Sequence, residues 1–204
     1  MEMSRKEMER MQRRRLLLEA AERVFGRKPF DEATMQEVAA EAQIGMQGLY
    51  EHFPSKQALY ESLIMERVKS FGTRVEKALE PGQNPIQRLR AWATVHAESF
   101  SGTPAFFPVF LREKIHRDWE FASRFGPALH EAFGREEARL TEIMKAAAEE
   151  GQIQKLEVPF LVRFFLAALH ASLFCHIRYN PNEEVSACVN RAMNSFLRGV
   201  ARIG

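Results

Sequence analysis

Residues 34–56 read TMQEVAAEAQIGMQGLYEHFPSK, and this segment divides into two short helices separated by a tight turn. Thr34 and Glu37 form a T-x-x-E capping box, in which two side chains satisfy free backbone N–H groups at the start of a helix. That helix is followed by a turn at Gln43 and by a second short helix that Pro54 stops. The segment therefore predicts a helix-turn-helix unit.

The second helix of such a unit enters the major groove of DNA, while the first spans the backbone. Met46 suits a thymine methyl group, and Gln47 suits a bidentate pair with adenine. Phosphate contacts are expected from side chains near the helix end, and two glycines would let the backbone come close. The predicted DNA contacts are Thr34, Gly45, Met46, Gln47, Gly48, Tyr50, His52, Lys56 and Arg14. The alternative is a helical hairpin whose polar side is merely solvated.

The leading segment is the basic part of this region. Residues 1–60 contain ten Lys plus Arg and ten Asp plus Glu, which predicts no strong overall field for nucleic acid. Between Arg5 and Arg15, however, six basic and two acidic residues give 6 − 2 = +4. This charge is enough for phosphate contacts or for a minor-groove arm, and a solvated helix face is the alternative.

The rest of the chain also has the pattern of helices. Apolar residues recur every three or four positions between prolines and glycines, and no stretch alternates as a strand would. We predict an all-α fold of about nine helices. They are expected at Glu7–Gly26, Thr34–Ala42, Gly45–Phe53, Ser55–Glu80, Ile86–Ser101, Pro104–His116, Pro127–Glu150, Pro159–Tyr179 and Asn182–Arg202.

The last two helices are predicted to form a homodimer. The helix Pro159–Tyr179 is apolar nearly all round, which requires burial on both sides. The helix Asn182–Arg202 carries its own apolar stripe, and closed two-fold dimers dominate homo-oligomers. Packing of both helices within a monomer is the alternative.

A region rich in phenylalanine is the candidate ligand site. Six of the 16 phenylalanines lie between Phe100 and Phe125, and ligand pockets are mostly apolar with a few polar groups. We predict a hydrophobic or aromatic effector, although each phenylalanine could simply belong to the core. The predicted ligand-binding residues are Trp92, His96, Phe100, Phe106, Phe107, Phe110, His170 and Phe174.

Composition and motifs argue against several other classes. The 204 residues carry 29 basic and 27 acidic side chains, a net charge of +2, and the chain lacks a secretory signal pattern. No catalytic motif occurs, the six histidines are scattered, and neither a cofactor nor a metal is expected. Cys175 and Cys188 form no ligand motif, so a reducing cytoplasmic setting is predicted and a redox role stays open.

Residues 15–59 resemble the N-terminal DNA-binding domain of the TetR family of bacterial transcriptional regulators. The likeness is carried most specifically by Leu49-Tyr50-x-His52-Phe53-Pro54-Ser55-Lys56. It implies a DNA-binding domain in residues 1–54 and a helical effector and dimerisation domain in residues 55–204. It also implies a homodimer on a pseudo-palindromic operator of double-stranded DNA, usually a repressor released by a small molecule, with the helix from Ser55 coupling the two domains.

The sequence departs from this family where operator choice resides. Gln43 stands at a turn that usually has Gly, Gly45 replaces a Ser cap, and Gln47-Gly48 replaces Gly-Thr. Gln43 must either reshape the turn or accept a left-handed conformation at a cost of about 1–2 kcal/mol. The operator is therefore not transferable. An all-helical adaptor, or a DNA-binding protein without an effector, is the alternative function.

Overall fold

The computed structural model of the protein describes residues 4–101 and 127–200, and every regular element in these ranges is an α-helix. The predicted all-α class is confirmed. The eight described helices are α1 (Arg5–Arg27), α2 (Met35–Ala42), α3 (Met46–His52), α4 (Lys56–Ala78), α5 (Pro85–Ser101), α6 (Pro127–Glu149), α7 (Val158–Tyr179) and α8 (Val185–Gly199). The helix predicted at Pro104–His116 lies outside the described residues.

The described residues fall into two compact units. The first contains residues 4–67 and 127–130, and the second contains residues 68–101 and 131–200. Helix α4 therefore contributes residues to both units. The domain boundary between residues 54 and 55 stays a prediction.

Local side-chain bonds fix the start of α2 in the first unit. The Thr34 hydroxyl accepts a hydrogen bond from the Glu37 N–H at 3.2 Å, and the Glu37 carboxylate accepts one from the Thr34 N–H at 2.9 Å. The predicted capping box is confirmed, and two N–H groups that lack partners within the helix are satisfied.

The turn after α2 keeps the left-handed conformation without a glycine. Gln43 has φ 55° and ψ 37°, and it is the only non-glycine residue with positive φ among the described residues. The Gln43 N–H donates to the Ala40 carbonyl at 3.1 Å, and the Ile44 N–H donates to the Ala39 carbonyl at 3.0 Å. These bonds hold the turn in place. Of the two alternatives for Gln43, the structure shows the left-handed conformation with its steric cost, and the turn is not reshaped.

Replacing Gln43 by Gly is expected to stabilise the protein by about 0.5–1 kcal/mol. The left-handed conformation costs a side chain about 1–2 kcal/mol, and part of that gain is offset by the larger entropy of glycine in the unfolded chain. Urea unfolding measures the change. Ala40→Gly, on the exposed side of the neighbouring helix, should have the opposite sign; equal effects from both substitutions would contradict the account.

A small aromatic core joins α1 to the start of α4 in the first unit. The ring centroids of Phe25 and Tyr60 lie 4.7 Å apart in an edge-on arrangement, and those of Phe30 and Tyr60 lie 5.0 Å apart. Leu17 of α1 and Leu49 of α3 are completely buried in the same unit. Helices α1 and α3 and the start of α4 thus all contribute buried residues to the first unit.

In the second unit, α8 packs against both α7 and α5. The apolar stripe predicted on this last helix is buried within the chain, including Val189, Ala192 and Phe196. The helix begins at Val185, later than predicted, because Glu183 closes a turn by donating its N–H to the Asn180 carbonyl. The α8 stripe is therefore part of the core of one chain.

Helix α7 is buried along only one side within the chain. Leu161, Phe165 and Leu169 are buried, whereas Phe160 and Phe174 are 55% and 48% exposed. The expectation of burial on both sides is not met by one chain alone. By length and composition α7 is also a candidate membrane span, a test that the core helix of a folded domain passes equally.

Candidate DNA-binding site

The burial of one side of α3 determines which side faces outward. Leu49 is fully buried, whereas Gln47 and Tyr50 are exposed and Met46 is half-buried. Successive helical residues are separated by about 100°, so Gln47 lies about 160° from Leu49 and occupies the middle of the outward side. Met46 and Gln47, the predicted base-reading side chains, and Tyr50, a predicted phosphate contact, are thus available to a duplex.

The two glycines of this region differ in their surroundings. A Cβ at Gly45, the residue before α3, would meet nothing within 4 Å. A Cβ at Gly48 would lie 3.1 Å from Cγ2 of Ile44, the residue that follows the turn. Gly45 therefore leaves open space at the start of the helix, whereas Gly48 also allows α3 to pack closely on the turn.

Arginines of α1 surround the end of α3. The Arg14 guanidinium carbon lies 4.6 Å from the centroid of the Phe53 ring. Partial burial, and then the positive charges of Arg10, Arg14 and Arg13, lower the pKa of His52 below its ordinary value. The basic leading segment thus lies beside α3, where its cations suit phosphate contacts.

The leading segment is helical from Arg5 onward. The Ser4 hydroxyl accepts from the Glu7 N–H at 3.2 Å, and the Glu7 carboxylate accepts from the Ser4 N–H at 2.8 Å. An extended minor-groove arm over residues 5–15 is inconsistent with this capped helix. Phosphate contacts from Arg14 and its neighbours remain the prediction.

The depressed pKa of His52 predicts a pH effect on stability. Since the unfolded chain binds a proton more readily, the stability contributed by neutral His52 is full above the ordinary pKa of 6.5 and is lost as the pH falls. Urea unfolding at pH values of about 7.5 and 5.5 should show a steeper loss for the wild type than for His52→Gln. Equal pH slopes for the two proteins would contradict the account.

Lys56 is held by backbone carbonyls at the start of α4. Its Nζ donates to the carbonyls of Phe30 at 2.6 Å and Ala33 at 2.8 Å, with Asp31 at 3.4 Å. The same nitrogen lies 4.5 Å from the centroid of the Phe30 ring. This geometry assigns the ammonium a structural task in joining the loop before α2 to α4, and its phosphate contact stays a prediction.

Two further exposed residues belong to the helix-turn-helix region: Thr34 before α2 and Glu51 on α3. The Thr34 hydroxyl donates to the Glu37 carboxylate at 3.0 Å within the capping box, and its DNA contact stays a prediction. The predicted set omits Glu51, which is exposed on α3 and accepts a hydrogen bond from the Gln47 amide at 3.3 Å. The i, i+4 spacing of Gln47 and Glu51 was the available sequence signal.

A second set of predicted site residues meets in the second unit. The Trp92 and His96 rings stack with centroids 4.8 Å apart, and Phe100 lies edge-on to His96 at 5.0 Å. His96 Nε2 lies 3.2 Å from His170 Nε2, within hydrogen-bonding distance. Within the part of the chain that the structure describes, the buried Trp92 Nε1 donor has no hydrogen-bond partner. The structure thus joins α5 and α7 through an aromatic cluster with polar groups inside it.

The remaining ligand predictions do not join this cluster. Phe174 lies on the exposed side of α7, and its ring meets that of Tyr179 at 6.0 Å. The structure instead adds Phe71 of α4, whose ring lies 5.3 Å from that of Trp92. Three predicted ligand-binding residues lie outside the described residues: Phe106, Phe107 and Phe110.

The thiol of Cys188 is not activated. Cys188 is buried, and burial raises the pKa of its thiol to about 11. A thiol with a raised pKa is a poor source of the reactive thiolate. Cys175 is partly buried and, like Cys188, is a free cysteine.

The fold and site together define a helix-turn-helix DNA-binding domain. Residues 17–63 match the family model for the N-terminal domain of bacterial regulatory proteins of the tetR family. This match covers the turn, α3 and the first part of α4. The resemblance predicted from the Leu-Tyr-x-His-Phe-Pro-Ser-Lys motif is confirmed for this part of the chain, which matches the N-terminal domain of the tetR family.

Individual relatives extend the likeness beyond this domain. The transcriptional activator FasR of Mycolicibacterium smegmatis is 38% identical over 82 residues, which are 40% of this chain and 37% of FasR. The chain thus matches little more than a third of the length of FasR. The structure of the ketosteroid transcriptional regulator KstR2 of Mycobacterium tuberculosis is 21% identical, with a TM-score of 0.76 over 93% of this chain and 95% of KstR2.

The transcriptional regulator FadR of Bacillus subtilis, solved in complex with stearoyl-CoA, has the same overall fold. It is 15% identical and has a TM-score of 0.69, covering 91% of this chain and 98% of FadR. The structural likenesses show a shared fold over nearly the whole chain.

Proposed function

We propose that the protein is a transcriptional regulator that binds a specific DNA operator through α3. One observation carries the proposal: Gln47, opposite buried Leu49, and Tyr50 are exposed, with Arg10 and Arg14 beside the end of the same helix. Polar side chains for base edges and cations for phosphates are the two kinds of contact that such a domain needs. A cytoplasmic setting follows from this function.

Selection of bound sequences from random duplex DNA tests this function. We expect an enriched motif with two related half-sites, bound in preference to bulk competitor DNA at moderate salt. Absence of any base preference would contradict the proposal and would favour a helical adaptor. Whether binding represses or activates transcription is a separate measurement, in a reporter carrying the selected motif.

The exposed side of α7 is proposed as the main homodimer surface. Phe160, Ala167, Ala171 and Phe174 recur every three to seven residues along that side, and all four are exposed. Alanines allow a partner helix to approach closely, while the phenylalanines supply apolar area. The buried stripe of α8 leaves that helix only its polar outer side for a partner, so the dimer in the Pro159–Tyr179 and Asn182–Arg202 regions would depend chiefly on α7.

Phe174→Glu is expected to convert the protein to a monomer. A charge at the centre of an apolar interface is desolvated without a partner, whereas on a free surface it costs little. Analytical ultracentrifugation measures the state of association, and circular dichroism checks the fold. Met11→Glu places the same charge at an exposed methionine on α1 and should leave the dimer intact. An intact dimer for Phe174→Glu would contradict this interface.

A hydrophobic effector is proposed for the aromatic cluster of the second unit. The cluster of Phe71, Trp92, His96 and Phe100 combines apolar rings with a Trp92 N–H that has no acceptor among residues 4–101 and 127–200. Buried donors are nearly always satisfied, so this N–H is the proposed donor to a ligand oxygen. KstR2 is named for ketosteroids and the FadR structure contains stearoyl-CoA, which supports a hydrophobic ligand here.

Thermal shift measurements with a long-chain acyl-CoA and a ketosteroid test the effector. We expect one of them to raise the melting temperature and to release the selected operator, while a sugar phosphate does neither. Trp92→Phe keeps an aromatic ring, smaller than the indole, and removes the N–H donor. It should weaken the binding of that ligand. A protein that binds its operator but ignores all such compounds would be a DNA-binding protein without an effector of this class.

Helix α4 is the proposed connection between effector and operator binding, because it contributes residues to both units. Arg67 of α4 pairs with the buried carboxylate of Glu22 in α1. A ligand acts only through its differential affinity for two arrangements of this helix. Spin-label distances between the two copies of α3 should differ in the free, liganded and DNA-bound dimers, and equal distances would contradict the coupling.

A further inference from the structure

Glu51 is the acidic residue on the outward side of α3. Glu51 and Gln47 lie two residues after and two residues before buried Leu49. At about 100° per residue, each therefore points about 160° away from Leu49, and the two side chains lie next to each other on the outward side. Both side chains are exposed. An anion thus occupies the middle of the surface that the proposed function brings to a polyanionic duplex, where nearby phosphates repel it.

Two other acidic residues of the first unit, both on α2, are paired with cations. Glu37 pairs with Lys28, and Glu41 pairs with Arg23 and Arg27. Glu51 takes part in no ion pair among residues 4–101 and 127–200. Its carboxylate instead accepts a hydrogen bond from Gln47, with Nε2 of Gln47 3.3 Å from Oε1 of Glu51.

This hydrogen bond fixes the chemistry that the pair offers to a groove. One N–H of the Gln47 amide is directed at Glu51, which leaves the other N–H and the amide oxygen for an adenine. The carboxylate of Glu51 offers only acceptors. It therefore requires a base edge that presents a donor.

The major groove contains few such edges. Cytosine presents its N4 amino group as a donor, whereas guanine N7 and O6 and thymine O4 are acceptors that repel a carboxylate. Adenine offers its N6 amino group next to the acceptor N7, which suits an amide better than a carboxylate. The cytosine amino group has an acceptor on one side only, O6 of the paired guanine, whereas the adenine amino group lies between adenine N7 and thymine O4, so cytosine gives Glu51 the most favourable contact.

We propose that Glu51 is a specificity-determining residue that selects cytosine in each half-site. This cytosine lies one or two base-pair steps from the adenine that Gln47 reads. The spacing follows from the helix rise, since four residues span about 6 Å, and stacked base pairs are about 3.4 Å apart. The proposal rests on operator binding by α3 as its basis. It goes beyond that function by naming the base and the residue that excludes the other three.

Base selection with three proteins tests the proposal. The wild type, Glu51→Ala and Glu51→Gln are each used to select sequences from random duplex DNA, and circular dichroism checks that each variant is folded. We expect one cytosine position per half-site to be preferred about tenfold by the wild type and to become nearly random with Glu51→Ala. With Glu51→Gln the preference there should shift toward adenine, because an amide matches the adenine edge.

Glu32→Gln is the matched control, since Glu32 is an exposed acidic residue in the loop before α2. It removes the same charge and should leave every preferred base unchanged. A wild-type motif that persists at every position in Glu51→Ala would overturn the role of Glu51 while leaving the proposed function intact. A wild type that selects no motif would overturn both.

Discussion

A double substitution of Gln47 and Tyr50 by alanine is expected to weaken binding to the selected operator by about 100-fold or more. Each lost contact to a base edge or a phosphate is worth about 1–3 kcal/mol, and the dimer presents both residues twice. Because the two side chains are exposed and lie away from buried Leu49, their removal should leave the melting temperature nearly unchanged. Fluorescence anisotropy with the operator and with random DNA measures the loss.

A double substitution of exposed residues in the second unit is the control. Gln152 and Leu156 are both exposed there, outside α7, and Gln152→Ala with Leu156→Ala should retain wild-type affinity. The variant at α3 should lose more affinity for the operator than for random DNA, because Gln47 contributes base reading while the arginines of α1 still contact phosphates. Equal losses for the two double variants would contradict the assignment of α3.

Lys56→Met is expected to destabilise the protein by about 2–4 kcal/mol. The ammonium donates to the carbonyls of Phe30 and Ala33, and hydrogen bonds of charged donors contribute about 1.5–3 kcal/mol each. Methionine retains the length of the side chain but leaves these acceptors without their donor. Urea unfolding measures the change.

The substitution also separates two roles of Lys56. A structural role predicts lower stability, with operator affinity preserved at temperatures where the variant is folded. Lys69→Met changes an exposed lysine on α4 and should alter the stability by less than about 0.5 kcal/mol. Unchanged stability together with weaker operator binding would show instead that Lys56 acts on phosphate.

The local features of the DNA-binding unit could be predicted from the sequence because neighbouring residues determine them. The Thr34 and Glu37 capping box joins residues three apart, and Pro54 ends α3 wherever the helix packs. The left-handed turn at Gln43 was the uncertain point. Local propensity opposes it, and the hydrogen bonds of the turn residues overcome that preference.

Features that depend on residues far apart in the chain could not be predicted in the same way. The carbonyls that hold Lys56 lie 23 to 26 residues earlier, so spacing along one helix gives no signal of them. Phe71 has the periodicity of a core residue, and only the packing of α4 and α5 brings its ring to Trp92. Likewise, composition predicted an apolar α7, but the position of α8 determined that Phe174 stays outside.

Photo-crosslinking from position 50 tests whether α3 reads DNA in two copies. Tyr50 is replaced by the photoreactive residue p-benzoylphenylalanine, and the dimer is irradiated on its selected duplex. Crosslinks are expected at bases in both half-sites, about one helical turn apart, and none from the same residue at exposed Tyr179. Crosslinks from Tyr179 alone, with none from position 50 on bound DNA, would contradict the account.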